Sequence, residues 1–123
     1  MKRQTYCCGL AAALDVVGGK WKVLILWALR SGPRRFGELR RDIPGISEKM
    51  LIQHLKEMEA DAIVTRKDYK EVPPRVEYAT TPFGLSLRDA LTPLCAWGQE
   101  HMERIAACHE AHEGKRQKVR AYA

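Results

Sequence analysis

The sequence has no apolar run long enough to cross a bilayer. A spanning helix needs roughly 18 to 20 predominantly apolar residues, and the longest run here, Val23 to Leu29, has seven. That run reads as a buried helix, and no membrane partner is expected. Nothing like a signal-peptide core follows Met1-Lys2-Arg3-Gln4-Thr5-Tyr6, so the expected compartment is the cytoplasm. Internal repeats and low-complexity tracts are absent. So are a glycine-rich phosphate loop, a metalloprotease motif and a nucleophile elbow. The four cysteines, Cys7, Cys8, Cys95 and Cys108, are not spaced like a zinc finger or ribbon, and a cytosolic protein keeps such thiols reduced. These absences argue against an enzyme, a resident metal or a cofactor.

What is present is one domain's worth of chain. Its 123 residues are 46% apolar, enough for one core without disulfide staples. The net charge is +6, and its placement is informative. Residues 20 to 56 contain nine Lys or Arg and three acids, 9 − 3 = +6, while the rest balances at 12 − 12 = 0. A basic segment inside a folded core, not in a tail, is the footprint of a polyanion binder.

The periodicity predicts a short amphipathic helix over residues 9–17, from Leu10, Leu14 and Val17. Gly18-Gly19 breaks it, and a second helix over 20–30, apolar almost all round, is expected to be buried. Gly32-Pro33 is a turn. Phe36, Leu39 and Ile43 mark one face of a brief helix over 36–42, ended by Pro44-Gly45. Ser47 is an N-cap for a helix over 48–60, with Leu51, Leu55 and Met58 inward and Lys49, Gln53 and Lys56 outward. Two strands follow, 63–68 and 76–80, joined by a loop stiffened by Pro73-Pro74. Thr81 caps a long helix starting at Pro82 and keeping its stripe to about residue 112, with Pro93 expected to kink or break it. Residues 1–112 are expected to form one domain with a C-terminal dimerisation helix, and 113–123 a basic flexible tail.

Helix, four-residue turn, helix, then a strand hairpin is the order of a winged helix-turn-helix, a mainly α (α+β) fold. In that motif the second helix enters the major groove with its N-terminal residues at base edges. Duplex DNA is thus the expected partner. Ser47, Lys49, Met50, Gln53 and His54 become the base-reading candidates, since Gln pairs bidentately with adenine and Lys donates to guanine. Arg34, Arg35 and Arg40 become candidates for phosphate, and Arg75 for wing contact with phosphate or the minor groove. The bland alternative is that these are solvated surface residues, with His54 on the helix flank and Met50 in the core. A thiol enzyme is a rival reading, but no histidine lies near Cys7 or Cys8 in sequence. A metal-responsive module is another, because His101, Cys108 and His112 share a helical face with His109 adjacent. A third is a winged helix that binds protein without specific DNA binding.

The residues also resemble a known family. Leu14-Asp15-Val16-Val17-Gly18-Gly19-Lys20-Trp21 with Leu24-Ile25-Leu26 looks like the opening of HxlR-type regulators. Gly32-Pro33-Arg34-Arg35-Phe36, Ile43-Pro44-Gly45-Ile46-Ser47, Glu71-Val72-Pro73-Pro74-Arg75 and Leu94-Cys95-Ala96-Trp97-Gly98 follow in order. The resemblance implies a homodimeric bacterial regulator whose terminal helices pair. It also implies that Cys8, just before the first helix, is a candidate sensor of a small electrophile or oxidant. A helix N-terminus favours the thiolate, with Lys2 and Arg3 close in sequence. Cys7 is the alternative reactive thiol, and Cys95 or Cys108 a candidate resolving partner. Leu91, Leu94 and Trp97 lie at i, i+3 and i+6 and are the expected dimer face, with Trp97 packing inside its own subunit as the alternative. The family's glycine after the reading helix is Ala62 here; in a left-handed backbone that costs on the order of 1 kcal/mol.

Overall fold

The computed structural model describes residues 6–122, with side chains to residue 113. Lys2 and Arg3 lie outside the described residues, as do the side chains of the expected tail. The element order is α1 (Gly9–Val17), α2 (Lys20–Ala28), β1 (Arg34–Arg35), α3 (Phe36–Asp42), α4 (Glu48–Ala60), β2 (Val64–Asp68), β3 (Val76–Thr80), α5 (Pro82–Glu100) and α6 (Met102–Tyr122). The chain forms two compact units, Met1–Arg88 and Asp89–Ala123.

The first unit is built on the basic segment. Its buried apolar residues are Ile25, Leu26 and Leu29 from the second helical stretch, Leu39, Ile43 and Ile46 around α3, Leu51, Leu55 and Met58 from α4, and Ile63 and Val64 beyond it. The elements that carry the excess positive charge therefore also supply the core. Their period-3.6 apolar stripes turn inward and leave Lys and Arg on the opposite faces. α3 and α4 are joined through Ile43-Pro44-Gly45-Ile46-Ser47. Ile46 is buried there, and Gly45 has φ +87°, a conformation that side chains disfavour. Ser47 caps α4, its Oγ accepting the Met50 N–H at 3.1 Å.

α4 ends in a paired cap. The Ala62 N–H donates to the Glu59 carbonyl at 3.0 Å and the Ile63 N–H to the Met58 carbonyl at 2.9 Å, the two bonds of a Schellman motif. The motif needs a left-handed residue, and Ala62 takes it with φ +60°. The chain then enters β2, which pairs antiparallel with β3 in the register Val64↔Thr80 to Asp68↔Val76. This is the expected hairpin. It also gains a third strand that was not expected: β1 pairs with the other edge of β3, Arg34↔Tyr78 and Arg35↔Glu77, giving the order β1-β3-β2.

Thr81 joins the sheet to α5. Its hydroxyl accepts the Gly84 N–H at 2.9 Å and donates to the Ala62 carbonyl, while its backbone N–H donates to the Ile63 carbonyl at 3.0 Å. α5 passes so close to that strand entry that a Cβ on Gly84 would stand 2.2 Å from the Ile63 carbonyl oxygen.

Two expectations are corrected. The second helix is not buried all round: Ile25 and Leu26 are, but Leu24 is 42% exposed and Trp27 36%. The Trp27 ring is instead covered by the Arg30 guanidinium, 4.9 Å from its centroid, a cation–π contact. Pro93 does not end its helix; it lies inside α5, and the interruption falls at His101, between α5 and α6. Helix α6 runs to Tyr122.

Candidate nucleic-acid interface

α4 carries the five candidates Ser47, Lys49, Met50, Gln53 and His54, and they differ in exposure. Lys49 and Gln53 are exposed, and Met50 is 36% exposed. The helix stripe buries Leu51 and Leu55 and turns these three outward. Ser47 is exposed, with its Oγ already engaged by the Met50 N–H. His54 is turned toward the helix flank: its side chain is only 17% exposed, with Nδ1 3.7 Å from a Glu57 carboxylate oxygen. It is thus not brought to the outward face with Lys49 and Gln53.

Glu57 is a junction that the outward stripe of α4 did not reveal. Its Oε2 lies 2.7 Å from Lys22 Nζ on α2, and its Oε1 accepts a hydrogen bond from Gln53 Nε2 at 3.3 Å. The Lys22 side chain is 11% exposed, so this pair ties α4 to α2. The Lys22 ammonium and the Gln53 amide together hold the Glu57 carboxyl below the usual carboxylate range.

The arginines before and on α3 differ in freedom. Arg35 is exposed, and its backbone N–H donates to Glu38 Oε1 at 3.1 Å, closing the first turn of α3. That N–H, followed by the hydrogen bond from Arg34 and then its charge, lowers the Glu38 pKa. Arg34 is half-buried between two carboxylates, 3.2 Å from Glu38 and 3.8 Å from Asp42. Arg40, about half exposed, reaches Glu48 at 3.6 Å across the α3–α4 turn.

The wing is organised on Tyr69. Arg75 stacks over its ring at 3.6 Å and Lys67 lies 4.6 Å from its centroid. Arg75 also stands 3.5 Å from Glu71 and 4.0 Å from Glu77, while the Tyr69 hydroxyl donates to Glu77 at 3.2 Å. The guanidinium is therefore held within the hairpin and keeps about a third of its side-chain surface open. Arg66, Lys67 and Lys70 are exposed on the same hairpin. Sequence reasoning singled out only Arg75; three bases within five residues of a strand-loop segment were the missed signal.

At the other end of this unit, Cys8 occupies the N-cap of α1 in an extended conformation. Both Cys7 and Cys8 are exposed. The approach falls short of a full capping bond, yet the Ala11 N–H, then the Cys7 thiol and the Leu10 N–H, lower the Cys8 pKa. In the second unit Leu94 is 62% and Trp97 54% exposed, while Leu91 is half-buried. Trp97 stacks on His101 at 4.8 Å. His101, Cys108, His109 and His112 line one open hollow with Trp97, Arg104 and Ile105. Among the described residues, no group of three or more His, Cys, Asp or Glu is placed to hold a metal ion. Nor is any described helix long and apolar enough to cross a membrane.

Comparison with known proteins bears on this geometry. A family model described as HxlR-like helix-turn-helix matches residues 16–106. The chain is 50% identical over 99 residues to the uncharacterized HTH-type transcriptional regulator YkvN of Bacillus subtilis (strain 168), covering 80% of this chain and 84% of that protein. Among solved structures, the redox regulator HypR in its reduced form superposes with a TM-score of 0.76 at 39% identity, covering 81% of this chain and 99% of that one. Diamide-treated YodB from B. subtilis superposes with a TM-score of 0.65 at 36% identity, covering 78% and 96%.

Proposed function

Because this chain belongs to the HxlR-like helix-turn-helix family of transcriptional regulators, we propose that it reads duplex DNA as a homodimer, with α4 in the major groove and the β2–β3 hairpin as the wing. The observation that carries this is the exposed face of α4, where Lys49, Met50 and Gln53 stand clear of a helix whose other side is core. Lys49 and Gln53 contact base edges, Met50 packs against a base, and Ser47 fixes the helix start. His54 supports the flank. Arg35 meets phosphate directly. Arg34 and Arg40 have carboxylate partners that a phosphate displaces. Arg75, with Lys67 and Lys70, carries the wing toward the backbone or the minor groove.

Leu91, Leu94 and Trp97 form the homodimer face. The exposure of Leu94 and Trp97 in a single copy supports that, since an apolar patch on a small protein marks an interface. The protein acts in the cytoplasm as a binder of DNA and not as an enzyme. Footprinting on the duplex upstream of its own gene tests the whole reading. Two protected half-sites about one helical turn apart, roughly 34–36 Å, are expected. Affinity should fall steeply with salt, and Arg35→Ala should shallow the slope by about one phosphate contact. No protection at low salt, or one isolated half-site, would sink it.

A redox response is the second part of the proposal. HypR is described as a redox regulator, and YodB was solved after diamide treatment; in this chain the lowered thiol pKa of Cys8 at the cap of α1 supports the same use. The thiolate is the form that attacks an electrophile or a disulfide. Diamide should release wild-type protein from DNA and leave Cys8→Ser bound. Equal release of the two moves the sensor to another thiol.

A further inference from the structure

We infer that Glu57 is a specificity-determining positioning residue: by holding one face of the Gln53 amide, it makes the reading helix prefer adenine over guanine at one position of each half-site. The inference rests on the reading of α4 as the base-contacting helix and adds to it the chemistry of what is read.

The argument starts from donors and acceptors. A side-chain amide can be turned through 180° about its last bond with little change in shape, so an isolated Gln presents either its oxygen or its nitrogen to a base. An ionised carboxylate only accepts. Glu57 Oε1 is 3.3 Å from Gln53 Nε2, so the nitrogen must be the amide atom that faces it. The opposite orientation would set the amide oxygen against the carboxylate. Glu57 is itself held, because its other oxygen is 2.7 Å from Lys22 Nζ on α2. Lys22 is nearly enclosed, so the carboxylate is anchored to the packed part of the domain and not only to its own helix.

Held this way, Gln53 keeps its carbonyl oxygen and the second hydrogen of Nε2 for DNA. One acceptor beside one donor matches adenine, which offers its N6 amino group and N7 in the major groove. Guanine offers two acceptors, O6 and N7, and meets the amide oxygen with a like partner. Without Glu57 the amide turns freely, and Gln53 can donate to guanine as well. Glu57 need not touch DNA to have this effect.

The test uses the full-length protein and a library of random-sequence duplexes long enough for two half-sites, selected by wild type, Gln53→Ala, Glu57→Gln and Glu57→Asp. Wild type should enrich adenine over guanine at one symmetric position by roughly five- to 150-fold. Gln53→Ala should lose the preference at that position alone. Glu57→Gln can donate or accept and so frees the amide; it should lose adenine-over-guanine discrimination there, keep the preferences elsewhere, and keep the salt slope. Glu57→Asp retains the charge but is one methylene too short to span Lys22 and Gln53, and should give the same result if Glu57→Gln fails to fold. If Gln53→Ala loses the preference while both Glu57 variants keep it, the positioning role is wrong and the reading helix stands. If Gln53→Ala keeps every preference, the assignment of Gln53 as a reader falls and the inference with it.

Discussion

Ala62 and Gly84 sit on either side of the same strand entry and make opposite demands. Ala62 adopts φ +60° to complete the cap of α4, a region where a Cβ costs free energy and glycine does not. Ala62→Gly should therefore raise unfolding stability by about 1 kcal/mol. Gly84 is there because a Cβ would stand 2.2 Å from a backbone carbonyl and 2.7 Å from the Thr80 methyl. Neither strand backbone nor capped helix can yield cheaply, so Gly84→Ala should lower stability by about 1–3 kcal/mol. Urea unfolding of both variants checks the pair, with the midpoint moving and the slope constant. Two variants shifting the same way would contradict the geometry. The Ala62 position was legible because the resemblance marks a glycine there. The Gly84 contact was not, since it joins residues far apart in sequence.

Among the elements, α3 shows how a seven-residue helix between a turn and a turn is kept. Glu38 closes its first turn against the Arg35 N–H and takes charge from Arg34. The carboxyl pKa is lowered, first by that backbone N–H. A carboxylate depressed in the folded state contributes stability above its ordinary value of 4.5, and that contribution is lost as the pH falls through the folded value. Glu57 acts in the same direction through Lys22. Thermal unfolding between about pH 3 and pH 7 should show wild type losing more stability on acidification than Glu38→Gln. Parallel curves for the two would remove Glu38 from the account. The other lesson at this scale is β1. Two consecutive arginines carry no period, so no strand pattern exists to be read. The strand forms because the free edge of β3 is close enough to pair Arg34 with Tyr78. That pairing also takes Arg34 partly out of solvent, beside Glu38 and Asp42, a freedom the sequence had left to it.

At the scale of the molecule, the unpaired apolar surface is the feature to explain. Leu94 and Trp97 on α5 are more than half exposed, as are Leu10 and Leu14 on α1. An amphipathic helix whose apolar stripe faces outward gains little from folding alone. In the homodimer proposed above, burial against a second copy would supply the missing term. Leu94→Arg should leave the first unit folded but shift sedimentation from dimer to monomer, and should cut DNA affinity by far more than a rim substitution, because each half-site then binds alone. An unchanged, folded dimer would place the interface elsewhere.

The sequence by itself determined a good deal. The order of α1 to α4 and of the β2–β3 hairpin, the limits of α1, α3, α4 and β3, the two hydroxyl caps at Ser47 and Thr81 and the outward set Lys49 and Gln53 all follow from local rules: apolar period, capping chemistry and turn residues act within a few positions. The concentration of charge in residues 20–56 is equally a property of the string. Tertiary structure decided the rest. It withdrew His54 to the helix flank, left Leu24 and Trp27 partly open, added β1, and folded Arg75 onto Tyr69. It also set Lys22 of α2 against Glu57 of α4, thirty-five positions apart (57 − 22 = 35). Such contacts depend on which faces of distant elements meet, and no local periodicity records that. A helical pattern says which side of α4 is wet; only packing says which of its polar groups are already spoken for, and so which are left to read DNA.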